Sequence, residues 1–147
     1  MSEGSKTPLS AAPSVGEMKL RLAVIELVVA DMAATLAFYR LLGLDLPAGA
    51  GAEPHVQADL GGIQIAFDTE ETIRSFHPGW TRPDKGATQS ALAFLAGSAA
   101  EVDEAYAAVV GAGYRGELEP WNAVWGQRYA VVRDPDGNQV DLFAPLS

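Results

Sequence analysis

The chain has 147 residues, 48% of them hydrophobic and 20% charged, the composition of one ordinary globular domain with enough length for a real core. It has no cysteine, which excludes a disulfide framework, a thiolate metal site and a cysteine nucleophile. Its net charge of −9 disfavours nucleic-acid partners, which need a basic face.

Residues 1–18 are small, polar and Pro-containing and read as a flexible tail. Residues 19–147 read as a single domain. The start of the chain lacks the basic-then-apolar layout of a signal peptide, and no apolar run reaches the ~18 residues of a membrane span. The expectation is a cytoplasmic protein with no membrane partner. Leu20 to Ala30 is aliphatic and β-branched and predicts a strand. Asp31 sits where an N-cap belongs, and Met32 to Leu42 has helical spacing, with Leu36, Tyr39 and Leu42 on one face and Phe38 beside them as core. Gly43 is placed to end that helix. Pro47 to Pro54 reads as a loop, and His55–Leu60 with Gly62–Asp68 as a hairpin turning on Gly61-Gly62.

Residues 69–88 form a connector long enough to suggest function. Its Phe76, His77 and Trp80 predict order over something apolar. The second half restarts with a strand, Gln89 to Ala96. Ser98 with Glu101 is a capping box that opens a helix to about Val110. A short strand near Tyr114 to Glu117, a loop carrying Trp121 and Trp125, and a hairpin of Gln127–Arg133 with Asn138–Ala144 complete the chain. The turn signal of that hairpin is Asp136-Gly137.

The two halves repeat. With Gly62 laid on Gly137, Gln64 falls on Gln139, Ile65 on Val140 and Phe67 on Leu142. Each half reads β-α-β-β-β, about 20–68 and 89–145, joined by the loop 69–88. The fold class is α+β, with helices on one face of curved sheets and the other face free. A site built between two half-modules follows.

The runs Val28-Val29-Ala30-Asp31 through Phe38-Tyr39-Arg40-Leu41-Leu42-Gly43 and Trp125-Gly126-Gln127-Arg128 to Asp134-Pro135-Asp136-Gly137-Asn138 resemble the two modules of the glyoxalase/bleomycin-resistance/extradiol-dioxygenase (vicinal oxygen chelate) superfamily. The resemblance covers residues 20–145. It implies paired βαβββ modules, a cup formed by the curved sheets, and a homodimer. It also implies that enzymes of the family carry a metal ligand on the first and last strand of each module. Here those positions are Val24, Ala66, Ser90 or Ala91, and Asp141. Only Asp141 can ligate, far short of the three or more protein ligands of a catalytic site, so no metal and no cofactor are expected. A relocated site of His77, Glu26 and Asp141 stands as an alternative.

Strand alternation assigns the cup independently of the resemblance. Val24, Glu26 and Val28 share one face of the first strand, Gln64, Ala66 and Asp68 one face of the third, and Gln139, Asp141 and Phe143 one face of the last. The apolar residues between them fall on the core face each time. The candidate ligand-binding residues are therefore Glu26, Gln64, Asp68, Gln139 and Asp141, with the aromatics Phe76, Trp80, Trp121 and Trp125 and with Arg128 placed to neutralise Asp141. Asp68, at a strand end, is expected to be exposed. Ser90 has no histidine in reach for a triad, and Gly61-Gly62 precedes no helix that would make it a phosphate loop.

Two functions fit. The first is a metal-free binding protein that sequesters a bulky, partly aromatic small molecule such as an antibiotic in a homodimer, by ring stacking and apolar burial. The second is a lyase or isomerase, in a role such as natural-product biosynthesis, with Glu26 or Asp141 as general base.

Overall fold

In chain order the elements are β1 (Val24–Val29), α1 (Met32–Leu41), β2 (His55–Asp59), β3 (Gln64–Thr69), α2 (Glu70–Phe76), β4 (Ala91–Leu95), α3 (Ala99–Gly111), β5 (Arg115–Asn122), β6 (Gln127–Arg133) and β7 (Gln139–Pro145). The computed structural model describes residues 19–84 and 90–146, so the predicted tail, 85–88 of the connector, and Gln89 lie outside it. The strands form two sheets, ordered β1-β3-β2 and β4-β7-β6-β5. β1 runs parallel to β3 and β4 parallel to β7, and the other pairings are antiparallel. This is the expected α+β architecture of open curved sheets.

Local chemistry sets the element ends. The Asp31 carboxylate accepts from the Ala34 amide at 3.0 Å and starts α1, and Gly43 at φ 103° lets the chain leave it. Ser98 Oγ accepts from Glu101 N at 3.2 Å, while Glu101 reaches back to the Gly97 amide at 2.8 Å and closes the start of α3. Gly61 and Gly62 both take positive φ, as the tight β2–β3 turn requires.

Three expectations change. The first module has three strands where the second has four. Between α1 and β2 the chain makes only a 3₁₀ turn, Ala50–Ala52, because Pro47-Ala-Gly-Ala-Gly-Ala offers no β-branched or aromatic side chain to fill a pleat. The connector is not all loop. Thr69 caps the seven-residue α2, Glu70 and Glu71 sit in its first turn and Arg74 in its last, yet Ile73 is its one buried residue, too weak a stripe to read from sequence. β5 is longer than expected and takes in Trp121, crossing two register shifts on the way.

One core serves both modules. Leu36, Phe38 and Tyr39 of α1 and Val102 and Val109 of α3 are buried with Ile65, Phe67, Val132, Val140 and Leu142 from the sheets. Phe38 meets Tyr39 and Tyr114 edge-on, both at 4.9 Å, and Tyr39 lies 6.2 Å from Phe94. Each fully buried side chain of this size contributes about 1.5–3 kcal/mol.

The Asp134-Pro135-Asp136-Gly137-Asn138 turn fastens the modules together. Asp134 organises the turn, accepting from the amides of Asp136 at 2.9 Å and Asn138 at 2.8 Å. It also accepts the Tyr39 hydroxyl of the first module at 2.8 Å. Asp136 takes the Ala30 amide at 2.9 Å and the Thr35 hydroxyl at 3.1 Å, and Arg82 approaches it at 3.3 Å. Both carboxylates are buried. Burial first, then the Asp134 charge, holds the Tyr39 phenol far above its ordinary pKa. Arg82 also pairs with Glu70, holding that carboxyl below its usual range, and reaches the Val28 carbonyl. The connector is thereby tied to the same joint.

Candidate functional site

Helices cover one face of each sheet, and pairing register fixes what lies on the other. In the first sheet the rows across β2, β3 and β1 are His55–Asp68–Val28, Gln57–Ala66–Glu26 and Asp59–Gln64–Val24. In the second sheet the rows across β6, β7 and β4 are Tyr129–Phe143–Leu95, Val131–Asp141–Ala93 and Arg133–Gln139–Ala91. The repeat maps one grid onto the other, and it settles the register of β4: Ala91, not Ser90, stands where Val24 stands. The two grids meet along β1 and β4, where Ile25, Glu26, Leu27, Ser90, Ala91, Leu92, Asn138 and Gln139 line a crevice of about 630 Å³. An apolar slot of about 460 Å³ between α1 and α3 lies on the helix side and shares only Leu95 with these grids.

The first wall is a hydrogen-bonded polar network. His55 Nδ1 lies 2.6 Å from Asp68, and its Nε2 lies 2.9 Å from Gln57 Oε1. Gln57 donates to Gln64 at 3.2 Å, and Gln64 to Asp59 at 3.3 Å. Glu26 shares a hydrogen bond with Asp68, which, with burial and the Asp68 charge, raises its pKa. His55 is raised as well, by its bonds to Asp68 and Gln57 ahead of the nearby charges. Glu26 and His55, both beside Asp68, therefore hold their protons more tightly than usual at one end of the wall. Asp68, expected to be exposed, is 4% exposed, because His55 folds over it from the neighbouring strand.

The second wall is aromatic. Trp121 stands beside Tyr129 across the β5–β6 pair, and Trp125 projects from the turn between those strands. Ring centroids are 6.1 Å apart for Trp121–Trp125, 5.5 Å for Trp121–Tyr129 and 5.4 Å for Trp125–Tyr129, with planes at 90°, 67° and 79°. Phe143 extends the wall, 6.3 Å from Tyr129. Asp141 lies beneath, accepting from the Tyr129 hydroxyl and, at 2.9 Å, from Gln139 Nε2. Burial first, then this bond, pushes the Tyr129 phenol up to about 12, so it remains a neutral donor.

The grids place Glu26, Gln64, Asp68, Gln139 and Asp141 on the open face, with Trp121 and Trp125 at its aromatic end. Other candidates fall elsewhere. Arg128 does not meet Asp141. It lies on the opposite face and binds Asp103 of α3 at 2.8 Å and Asn122 at 3.0 Å, since residue 128 is one step out of phase with Tyr129. Trp80 holds Arg74 and Arg82 over its ring at 5.4 and 5.8 Å, so it braces the connector. Phe76 is 70% exposed, against the expectation of burial over an apolar surface. His77 caps the end of α2.

The metal positions do not fit a metal. Val24, Ala66 and Ala91 offer no donor, and both oxygens of Asp141 are engaged by Tyr129 and Gln139. Among the described residues no group of three or more His, Asp or Glu side chains is arranged to hold an ion, which includes the alternative trio of His77, Glu26 and Asp141.

Two site residues escaped sequence reasoning, His55 and Tyr129. Alternation along β2 puts His55 in phase with Asp59, and pairing through Gly61-Gly62 sets it against Asp68. The same alternation along β6 selects Tyr129 over Arg128, because Ala130 and Val132 fall on the core face.

Paired modules of this topology, packed through one core with a free curved face, define a recognisable fold class. The model of the Glyoxalase/Bleomycin resistance protein/Dioxygenase superfamily matches residues 21–142, and the chain belongs to that superfamily. Among solved structures, a glyoxalase/bleomycin resistance protein/dioxygenase family enzyme from Burkholderia phytofirmans PsJN superposes with a TM-score of 0.73 at 20% identity, over 86% of this chain and 100% of that one. A glyoxalase/bleomycin resistance protein/dioxygenase from Nocardioides gives 0.68 at 22% identity, covering 90% and 88%. A lactoylglutathione lyase from Agrobacterium tumefaciens gives 0.60 at 24% identity, covering 84% and 92%. At these identities the likeness is one of fold. No curated protein matches the sequence. Among the described residues no helix is long and apolar enough to cross a membrane.

Proposed function

We propose that the chain is a small-molecule binding protein that takes a bulky, partly aromatic compound, such as an antibiotic, on its open face without a catalytic metal. The observation that carries this reading is the replacement of chemistry by contact surface at the repeat's key positions. Val24, Ala66 and Ala91 stand where ligands to a metal would be, while an aromatic wall and a hydrogen-bonded polar wall flank them. Rings offer stacking and the polar wall offers orientation, the composition of a binding site. Leu95, Leu118 and Trp125 leave much of their apolar surface open on or beside this face, so a homodimer in which a second copy closes it accompanies the reading.

The test is a titration of polycyclic and glycopeptide antibiotics followed by tryptophan fluorescence, with elemental analysis of protein purified without chelator and sedimentation at micromolar concentration. Saturable quenching, unaltered compound recovered after denaturation, well under one equivalent of metal, and a mass near twice 15.5 kDa are expected. One tightly held metal ion per chain, or a chemically altered compound, overturns the reading.

A second reading rests on Glu26. A carboxyl with a raised pKa, bonded to Asp68 beside His55, has the makings of a general acid or base. Turnover of a bound compound by the wild type that is lost in Glu26→Gln would establish this lyase or isomerase reading instead.

A further inference from the structure

The aromatic corner of the second wall selects a kind of ligand group. Trp121, Trp125 and Tyr129 stand steeply to one another, at 67–90°, with centroids 5.4–6.1 Å apart, and together form an aromatic corner. Two of the three polar tips are already used. The Trp125 indole N–H donates to Gln127 Oε1 at 2.9 Å, and the Tyr129 hydroxyl donates to Asp141. A ligand entering the corner therefore meets mainly aromatic surface, whose ring faces carry negative potential. The carboxylate beneath strengthens this: a phenol bonded to an anion gives electron density to its ring, and Asp141 is 7% exposed, where its charge is weakly screened. The connector shows how this chain treats the same interaction elsewhere. There Trp80 holds two of the protein's own guanidinium groups. The corner instead has an anion as its polar neighbour, which leaves the cation to be supplied from outside. The charge of −9 favours its approach.

We propose that this corner is a binding site for an organic cation, a quaternary or fully alkylated ammonium group, held over Trp121, Trp125 and Tyr129 with Asp141 as counter-charge. This rests on the ligand-binding reading above and names the group by which the ligand is anchored. A trimethylammonium head suits an aromatic corner better than a primary ammonium, since it brings methyl groups to the rings and has no N–H that demands an acceptor.

The test uses choline chloride and its neutral isostere 3,3-dimethylbutan-1-ol, at ionic strength matched with sodium chloride. Binding is read from the indole N–H resonances, assigned by single tryptophan variants. Choline is expected to move the Trp121 and Trp125 signals saturably and leave Trp80 in place, with the isostere at least tenfold weaker. Trp121→Ala should weaken choline more than tenfold, while Trp121→Phe, which keeps a ring and guards against a folding artefact, should lose less. Equal binding of choline and the isostere overturns the proposal, as does choline binding that survives Trp121→Ala or moves no indole. If choline fails while a polycyclic compound still binds, the cation site falls and the ligand-binding reading stands. If both fail, both fall.

Discussion

The two walls of the open face are the same grid filled by opposite chemistry. Where the first sheet pairs His55 with Asp68, the second pairs Tyr129 with Phe143. Each middle row carries one carboxylate, but on different strands: Glu26 on β1 beside Ala66, and Asp141 on β7 beside Ala93. Glu26 shares its hydrogen bond with another acid, whereas Asp141 receives two donors. The frame is symmetric, but the side chains differ: a proton-rich wall with Glu26 and His55, and an aromatic wall with Trp121, Trp125 and Tyr129. The fourth strand, β5, belongs only to the second sheet and carries Trp121, so the aromatic corner exists where the modules differ most.

The comparison has meaning only if the walls are held as one unit, which the Asp134–Gly137 turn accomplishes. Asp134→Ala strands the Tyr39 hydroxyl and the amides of Asp136 and Asn138 away from water, and should lower the unfolding free energy by about 3–5 kcal/mol in urea denaturation. The transition should stay single. Two separated transitions would show that each module stands alone, and the comparison would then be between two domains.

The second prediction sets wall against wall. Trp121→Ala should weaken binding of a polycyclic compound by about 1–3 kcal/mol, whereas Glu26→Gln, which keeps shape and hydrogen bonding, should change it by less than ~1 kcal/mol. Isothermal titration of both variants decides this, and the reverse order would make the polar wall the anchor. A smaller effect separates the ring from its tether. Tyr129→Phe keeps the aromatic face but frees Asp141 of a donor, and should cost ~0.5–1.5 kcal/mol of stability with most of the ligand affinity retained.

Much of this frame is legible in the sequence because strand alternation and glycine turns are local signals. Gly61-Gly62 and Asp136-Gly137 mark both hairpins, and the phase of Ile63, Ile65 and Phe67 against Gln64, Ala66 and Asp68 identifies the open face. What local signals do not carry is pairing between strands. Alternation puts His55 and Tyr129 on the open face, but only pairing brings His55 to Asp68 and Tyr129 to Asp141, and phase sends Arg128 to Asp103 where sign of charge points to Asp141. Trp121 read as loop because Pro120 and the register shifts of β5 hide its strand. The Asp-Pro-Asp-Gly-Asn run reads as a turn, but its bonds to Tyr39, Thr35 and Ala30 span about a hundred residues of chain, a separation no periodicity reveals.

The smallest expected effect is the one that tests the proton-rich wall by itself. Both Glu26 and His55 have raised pKa values in the folded protein, so both bind protons more tightly folded than unfolded, and each contributes stability that falls as pH rises. For Glu26 the contribution is full below its ordinary value near 4.5 and is lost as pH climbs through the raised one. For His55 it is full below about 6.5 and is lost above that. His55 is about half exposed, so solvent screens its pairing with Asp68, and the loss should amount to ~0.5 kcal/mol or less. His55→Gln can still donate to Asp68 but does not titrate. Urea denaturation between pH 5 and 9 should therefore show a shallow decline above pH ~6.5 in the wild type that is absent in His55→Gln. The decline in the more acid range, which belongs to Glu26, should survive the substitution and disappear in Glu26→Gln. Identical profiles for wild type and His55→Gln would mean that the histidine does not hold the Asp68 carboxylate in solution, and the first wall would then be an acid pair without a proton donor of its own.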